Sequence, residues 1–242
     1  MNESSTDPNP GDDLREQGQV QPTLYYCYDA LCGWCYGFSP VIKNLQAAYK
    51  EEIAFDVLSG GMVMPDQAYP IKAMAKYVSG AYKNVEALTG VEFGEDYLWH
   101  IFNPEESDWV LNSEKPAVAL SILKELHPDR AVEIASDLQH AHMYEGRDLT
   151  DNEAYRHLLP KYGIEAEAFY TQLQSEEFLD KAYYDFALVK QLQVTGYPAV
   201  LMQVSDSKFF LLSTGYTDFK TMKERIDAVL GQIGKEDFTN TK

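Results

Sequence analysis

Cysteine is scarce in this chain: Cys27, Cys32 and Cys35 are the only three in 242 residues. So few sulfurs over that length do not make a disulfide scaffold. No second C-x-x-C is present and no H-x3–5-H, so a structural zinc site would lack half its ligands, and no metal is expected. Basic charge is also short: 20 Lys and Arg stand against 38 Asp and Glu, a net charge of −18 that repels phosphates and excludes nucleic acid as a natural partner. No apolar run approaches the roughly 20 residues needed to span a bilayer, so no membrane partner is expected. The opening "MNESSTDPNPGDDLREQGQVQP" has no basic start and no apolar stretch. It reads as a disordered tail over 1–22 rather than a secretory signal, and a cytoplasmic location is the expectation. There is no internal repeat.

What is present is enough apolar material for a real core: 45% of the residues are hydrophobic, which suits one large domain or one domain carrying an insertion. "TLYYCYD" (23–29) is too short for a helix and reads as a buried strand. A helix is predicted to follow from Cys32 or Cys35 to Lys50, with Ile42, Leu45 and Tyr49 on one face and Pro40 kinking it. "IAFDVLS" (53–59) reads as a second strand, closed by Gly60 and Gly61. Strand, helix and strand in so short a span predict a parallel β-α-β unit.

From about 70 to 194 helical periods take over. Ser113, Asp129, Asp151 and Ser175 stand where N-caps belong, and the segment is expected to be a block of helices with its own core. Strand signals return in "PAVLMQV" (198–204) and "KFFLLS" (208–213), a predicted hairpin. The last helix places Phe219, Met222, Ile226 and Val229 on one face. The order is β-α-β, many helices, β-β-α.

Cys32 and Cys35 flank Gly33 and Trp34 at the strand-to-helix turn. Unpaired N–H groups and the helix dipole stabilise a thiolate there, and the thiolate is the nucleophile of thiol–disulfide exchange. Cys32 is therefore expected to be the exposed nucleophile and Cys35, one turn further in, the resolving thiol. A metal pair or an inert structural pair are the alternatives. Gly33 and Trp34 are expected to tune the site. Asp29 reads as a turn or cap residue, with a proton shuttle for the thiols as its alternative role. Cys27, on the strand, reads as a core residue, with a regulatory thiol as the alternative. In "VTGYPAV" (194–200) a proline opens a core strand, which a cis X-Pro bond at a tight turn would resolve.

These segments resemble the thioredoxin superfamily, and within it the DsbA-like proteins. "CGWCYGFSP" is similar to the start of that superfamily's active-site helix, "GYP" to its cis-proline loop, and "MYEGRDLTD" (143–151) to a segment of the DsbA helical domain. "DALCGWCYGF" is most similar to FrnE-like protein-disulfide isomerases, and the likeness runs over about 23–231. It implies an α/β thioredoxin fold built from 23–64 and 195–234, with a large all-helical domain inserted at 65–194. It implies that Pro198 is cis beside the cysteines, and that the Tyr197 backbone pairs with a substrate chain as an added strand would. The function implied is thiol–disulfide oxidoreductase or protein-disulfide isomerase, acting on protein or small-molecule thiols and disulfides with no cofactor. Two alternatives stand beside it: a glutathione-dependent isomerase or kappa-type glutathione transferase, and a non-catalytic peptide-binding module.

Overall fold

The computed structural model describes residues 21–240, and side chains as far as residue 233. The expected tail over 1–22 therefore lies almost wholly outside the described residues. The chain runs β1 (Thr23–Tyr28), α1 (Gly33–Tyr49), β2 (Ala54–Ser59), β3 (Tyr69–Pro70), α2 (Lys72–Thr89), α3 (Glu95–Phe102), β4 (Val110–Leu111), α4 (Glu114–Leu126), α5 (Ala131–Met143), α6 (Ala166–Leu173), α7 (Glu176–Gln191), β5 (Ala199–Ser205), β6 (Lys208–Thr214) and α8 (Phe219–Asn240).

The central sheet has the order β2-β1-β5-β6. The crossover through α1 makes β1 and β2 parallel, and β5 and β6 add as an antiparallel hairpin. Strand alternation sorts β1 into two faces. Leu24, Tyr26 and Tyr28 join the core under α1, where Tyr26 meets Phe38 at 5.6 Å between ring centroids. Tyr25 and Cys27 point the other way, toward Leu58, Val189 and Leu201 beneath α7. On α8 the spacing of Met222, Ile226 and Val229 buries one face.

The helices between β2 and β5 do not keep a core to themselves. Residues of α4, α5, α6 and α7 belong to one continuous cluster with α1, α8 and the sheet. A smaller cluster joins Tyr36 of α1 to Val85, Phe93, Tyr97 and Trp109 around α2 and α3. The expectation of a separate helical core fails because α1 is apolar on more than one side. Tyr36, Phe38, Val41 and Ile42 are all buried, so α1 is packed by the sheet and by the helices together.

Two expected caps are corrected. Ser113 precedes α4 but makes no capping bond, and Asn112 Oδ1 accepts the Glu114 N–H instead at 2.9 Å. Asp129 lies within a 3-10 turn, Pro128–Arg130, and Arg130 precedes α5. The helix expected after Asp151 forms as two 3-10 turns, Asn152–Tyr155 and Leu159–Tyr162, because Pro160 cannot continue an α-helical ladder. Asp151 caps the first of them, and Ser175 caps α7 through the Phe178 N–H. Pro40 lies inside α1 without ending it.

Candidate functional site

Cys32 is the last extended residue before α1, with φ −87° and ψ 110°. Its sulfur accepts the Cys35 N–H at 3.3 Å, so one of the orphan donors of the helix N-terminus is aimed at it. No acidic side chain occupies the first turn. Cys32 is 8% exposed and Cys35 wholly buried, so Cys32 is the more accessible of the two but not an open thiol. It reaches solvent through the wall of a cleft of about 350 Å³, lined also by Trp34, Met62, Val78, Tyr82, Phe93 and Tyr197. Among the described residues no charged side chain lines this cleft. Burial, and then the bond with the Cys32 side chain, pushes the Cys35 thiol well above the ordinary cysteine range. Cys35 is thus held neutral until the site changes around it.

The second element of the site comes from far along the chain. The Tyr197–Pro198 peptide bond is cis. The Tyr197 carbonyl accepts the Cys32 S–H at 3.7 Å across a separation of 165 residues. Pro198 lies just before β5, outside the ladder, and its carbonyl accepts the Gly215 N–H at 2.7 Å. The Tyr197 hydroxyl donates to the Gly60 carbonyl at 2.7 Å, and a Cβ on Gly60 would lie 2.2 Å from the Tyr197 ring.

Asp29 is 2% exposed. Its carboxylate accepts from the Leu31 N–H at 3.0 Å, the Met62 N–H at 2.7 Å and the Ser113 hydroxyl at 3.0 Å. Its carbonyl accepts the Cys32 N–H and the Gln139 side chain, each at 3.1 Å. Burial pushes the carboxyl upward and the three donors pull it back. An unpaired carboxylate in such a place would be costly, and charge-assisted hydrogen bonds are what make it tolerable. Trp34 is half-buried, packing on Tyr216 at 6.2 Å between centroids. A Cβ on Gly33 would meet only ordinary contact with Phe93 at 3.5 Å, so the local backbone does not demand glycine there.

Sequence reasoning missed Gly60, Met62, Phe93, Ser113 and Gln139 as parts of this site. Ser113 carried a signal that pointed elsewhere, since a serine before a helix reads as a cap. Its hydroxyl instead accepts the Val63 N–H at 3.0 Å and donates to Asp29. Cys27 is fully buried on the far face of the sheet, and burial followed by the charges of Asp185 and Asp56 pushes its thiol up to about 12. His142 is buried against Trp109, and burial lowers it to about 4, while His140 is exposed near Glu145. Among the described residues no cluster of three or more His, Cys, Asp or Glu could hold a metal ion, and no helix is long and apolar enough to cross a membrane.

The model of the DSBA-like thioredoxin domain matches residues 23–227. Among solved structures, a candidate protein disulfide isomerase from Nitrosomonas europaea superposes with a TM-score of 0.75 at 22% identity, over 88% of this chain and 98% of that one. The cytosolic disulfide reductase DsbM from Pseudomonas aeruginosa is similar at 26% identity and a TM-score of 0.67, over 87% of this chain and 98% of its own. A second structure of DsbM, with GSH, is similar at 26% identity and a TM-score of 0.65. No curated protein matches the chain in sequence. The match over 23–227 covers most of the chain, its fold is the thioredoxin fold with helices set between β2 and β5, and the chain belongs to the DSBA-like thioredoxin domain family.

Proposed function

We propose that this thiol–disulfide oxidoreductase works through Cys32 as nucleophile and Cys35 as resolving thiol. In the reducing direction, the Cys32 thiolate attacks one sulfur of a substrate disulfide. A Cys32–substrate bond forms, the substrate S–S bond breaks, and the displaced thiolate takes up a proton. Cys35 then loses its proton and attacks Cys32 Sγ, releasing the second substrate thiol and leaving a Cys32–Cys35 disulfide. Two electrons pass from the pair to the substrate, and the oxidising direction is the reverse. The chemistry calls for no metal or organic cofactor.

The observation that carries this reading is the placement of Cys32 Sγ, which takes the Cys35 N–H at the start of α1 and faces the Tyr197 carbonyl. The amide favours negative charge on the sulfur, both when Cys32 attacks and when it leaves. Burial of Cys35 supports its role as the resolving thiol, because a neutral thiol does not compete for the substrate. In the same reading the backbone at Tyr197 pairs with an extended substrate segment, 23–64 and 195–234 carry the chemistry, and 65–194 covers it. DsbM is described as cytosolic and as binding GSH, which makes a reducing compartment and glutathione the first location and small thiol to examine for this chain.

Cys32→Ser should abolish reduction of a test disulfide, and Cys35→Ser should accumulate the mixed disulfide on Cys32. Turnover retained in Cys32→Ser would overturn the assignment. Glutathione conjugation to an electrophile that survived in Cys35→Ser would favour a transferase instead.

A further inference from the structure

Tyr26 stands on β1 with its ring enclosed, 5.6 Å from the Phe38 ring of α1 and 5.6 Å from the Tyr28 ring beside it. Its hydroxyl donates to the Cys35 carbonyl at 3.2 Å and also engages the Cys35 side chain. The carbonyl has little need of it. Cys35 lies in the first turn of α1, so its carbonyl takes the Ser39 N–H of the helix ladder. The Ser39 hydroxyl approaches the same oxygen at 3.4 Å. A carbonyl oxygen has two lone pairs, so the phenol is a third donor and can leave without orphaning it. The Cys35 sulfur is the opposite case. It is wholly buried, and burial, then the Cys32 side chain, then the Asp29 charge oppose its ionisation. Once Cys32 is bonded to a substrate its own opposition ends, but the burial stays. A donor at the sulfur is what the resolving step lacks.

We propose that the Tyr26 hydroxyl shifts from the Cys35 carbonyl to the Cys35 sulfur when the mixed disulfide is resolved, donating a hydrogen bond to the thiolate as it forms. The inference rests on the Cys32–Cys35 exchange described above and adds a residue to its second step. Cys35 gives up its proton and its sulfur attacks Cys32 Sγ. The Cys32–substrate S–S bond breaks, and the departing substrate thiolate takes up a proton, so protons balance without an added base. Tyr26 keeps its own proton, because burial holds the phenol well above the ordinary tyrosine range. In the oxidising direction Cys35 leaves as the thiolate and meets the same donor. Cys35 is uncharged in both the dithiol and the disulfide. The donor therefore acts on the rate of the step and leaves the equilibrium of the pair where it is.

Stopped-flow mixing of the reduced full chain with dithiodipyridine separates the two steps. Attack by Cys32 releases one pyridinethione at a rate that rises with reagent concentration. Resolution by Cys35 releases the second at a rate that does not. Tyr26→Phe keeps the ring and removes the hydroxyl. A hydrogen bond to a charged group shifts ionisation by about ten- to a hundredfold. The more basic thiolate left without it is the better nucleophile, which returns about half of that on a logarithmic scale. The second phase should therefore slow by about three- to tenfold. The first phase, and the equilibrium of the pair in glutathione buffers, should change by less than about twofold. Tyr28→Phe is the control: its hydroxyl is buried on the same face of β1 and has no bonding partner among the described residues. Both of its phases should stay within about twofold of wild type. Melting temperature is read alongside, since a merely structural phenol lowers it and leaves the ratio of the two phases in place. A second phase unchanged in Tyr26→Phe, or slowed equally in Tyr28→Phe, would overturn the proposal. A wild-type protein that released no second pyridinethione would instead overturn the Cys32–Cys35 exchange itself.

Discussion

The two faces of β1 place thiols in opposite circumstances. On the α7 face, Cys27 is enclosed by Leu58, Val189, Ala199 and Leu201, with Asp185 and Asp56 as its nearest charges. Everything there disfavours a thiolate. On the α1 face, Cys32 ends a turn at a helix N-terminus, takes an N–H on its sulfur and opens to a cleft. Both residues are buried by area, so exposure alone does not separate them; the donors and charges around each sulfur do.

The largest way to break this comparison is substitution. If Cys32 is the attacking group as proposed, Cys32→Ser should lower disulfide exchange by at least about a thousandfold. Cys27→Ala should leave exchange rates at the wild-type level. Measuring both with one small disulfide substrate checks the contrast, and equal losses would erase it.

Alkylation sharpens it. With its thiol pushed up to about 12, Cys27 is ionised at pH 8 only to about one part in ten thousand. In the folded, reduced protein iodoacetamide should label Cys32 first and Cys27 slower by about a thousandfold or more, the difference disappearing on unfolding. Peptide mapping against time follows this directly.

Acid–base behaviour extends the comparison to the groups behind each face. Asp185, beside Cys27, is raised by burial from 3.8 to about 6. In the unfolded chain it releases its proton at lower pH, so its contribution to stability is present below about pH 4 and is lost as pH rises to about 6. His142, buried against Trp109 on the other side, is lowered by burial from 6.5 to about 4. Its contribution is present above pH 6.5 and is lost as pH falls to about 4. Each amounts to about 3 kcal/mol, and they oppose each other across the same window. Asp185→Asn should therefore make stability rise with pH between 4 and 6 relative to wild type, as read from urea midpoints at each pH. A difference profile without slope would break this account.

The smallest expected effect is the stability change in Cys27→Ala. Removing one buried sulfur should cost about 1–2 kcal/mol by chemical denaturation, as for other small core truncations. A loss near 4 kcal/mol would mean that Cys27 does more than fill space.

Much of the fold was legible in the sequence. The β-α-β start and the β-β-α end follow from short apolar runs broken by glycine and proline, and from Met222, Ile226 and Val229 recurring on α8. Ser175 was legible as a cap because a cap is a local bond to a backbone N–H three residues on. Ser113 was not, because its hydroxyl turns to Asp29, 84 residues away. The 3-10 turns after Asp151 escaped notice because apolar spacing there suits a helix while Pro160 forbids one. The shared core escaped notice because periodicity shows that a helix has an apolar face but not which partner covers it.

The sequence by itself determined the local geometry of the pair. A spacing of three residues at a strand-to-helix turn is one helical turn, and so it puts the Cys35 N–H on the Cys32 sulfur by local geometry alone. It also determined that Cys27 shares a face with Tyr25 and not with Tyr26, because strands alternate; that α1 covers the Tyr26 face is a tertiary fact. Only the tertiary structure decided what else meets Cys32. The register of β1 on β5, with Cys27 opposite Ala199, brings the Tyr197 carbonyl to the sulfur. Residues 59–63 then tie that turn to Asp29 and Ser113. Such contacts depend on which strand pairs with which across 165 residues, and no short stretch of sequence carries that information.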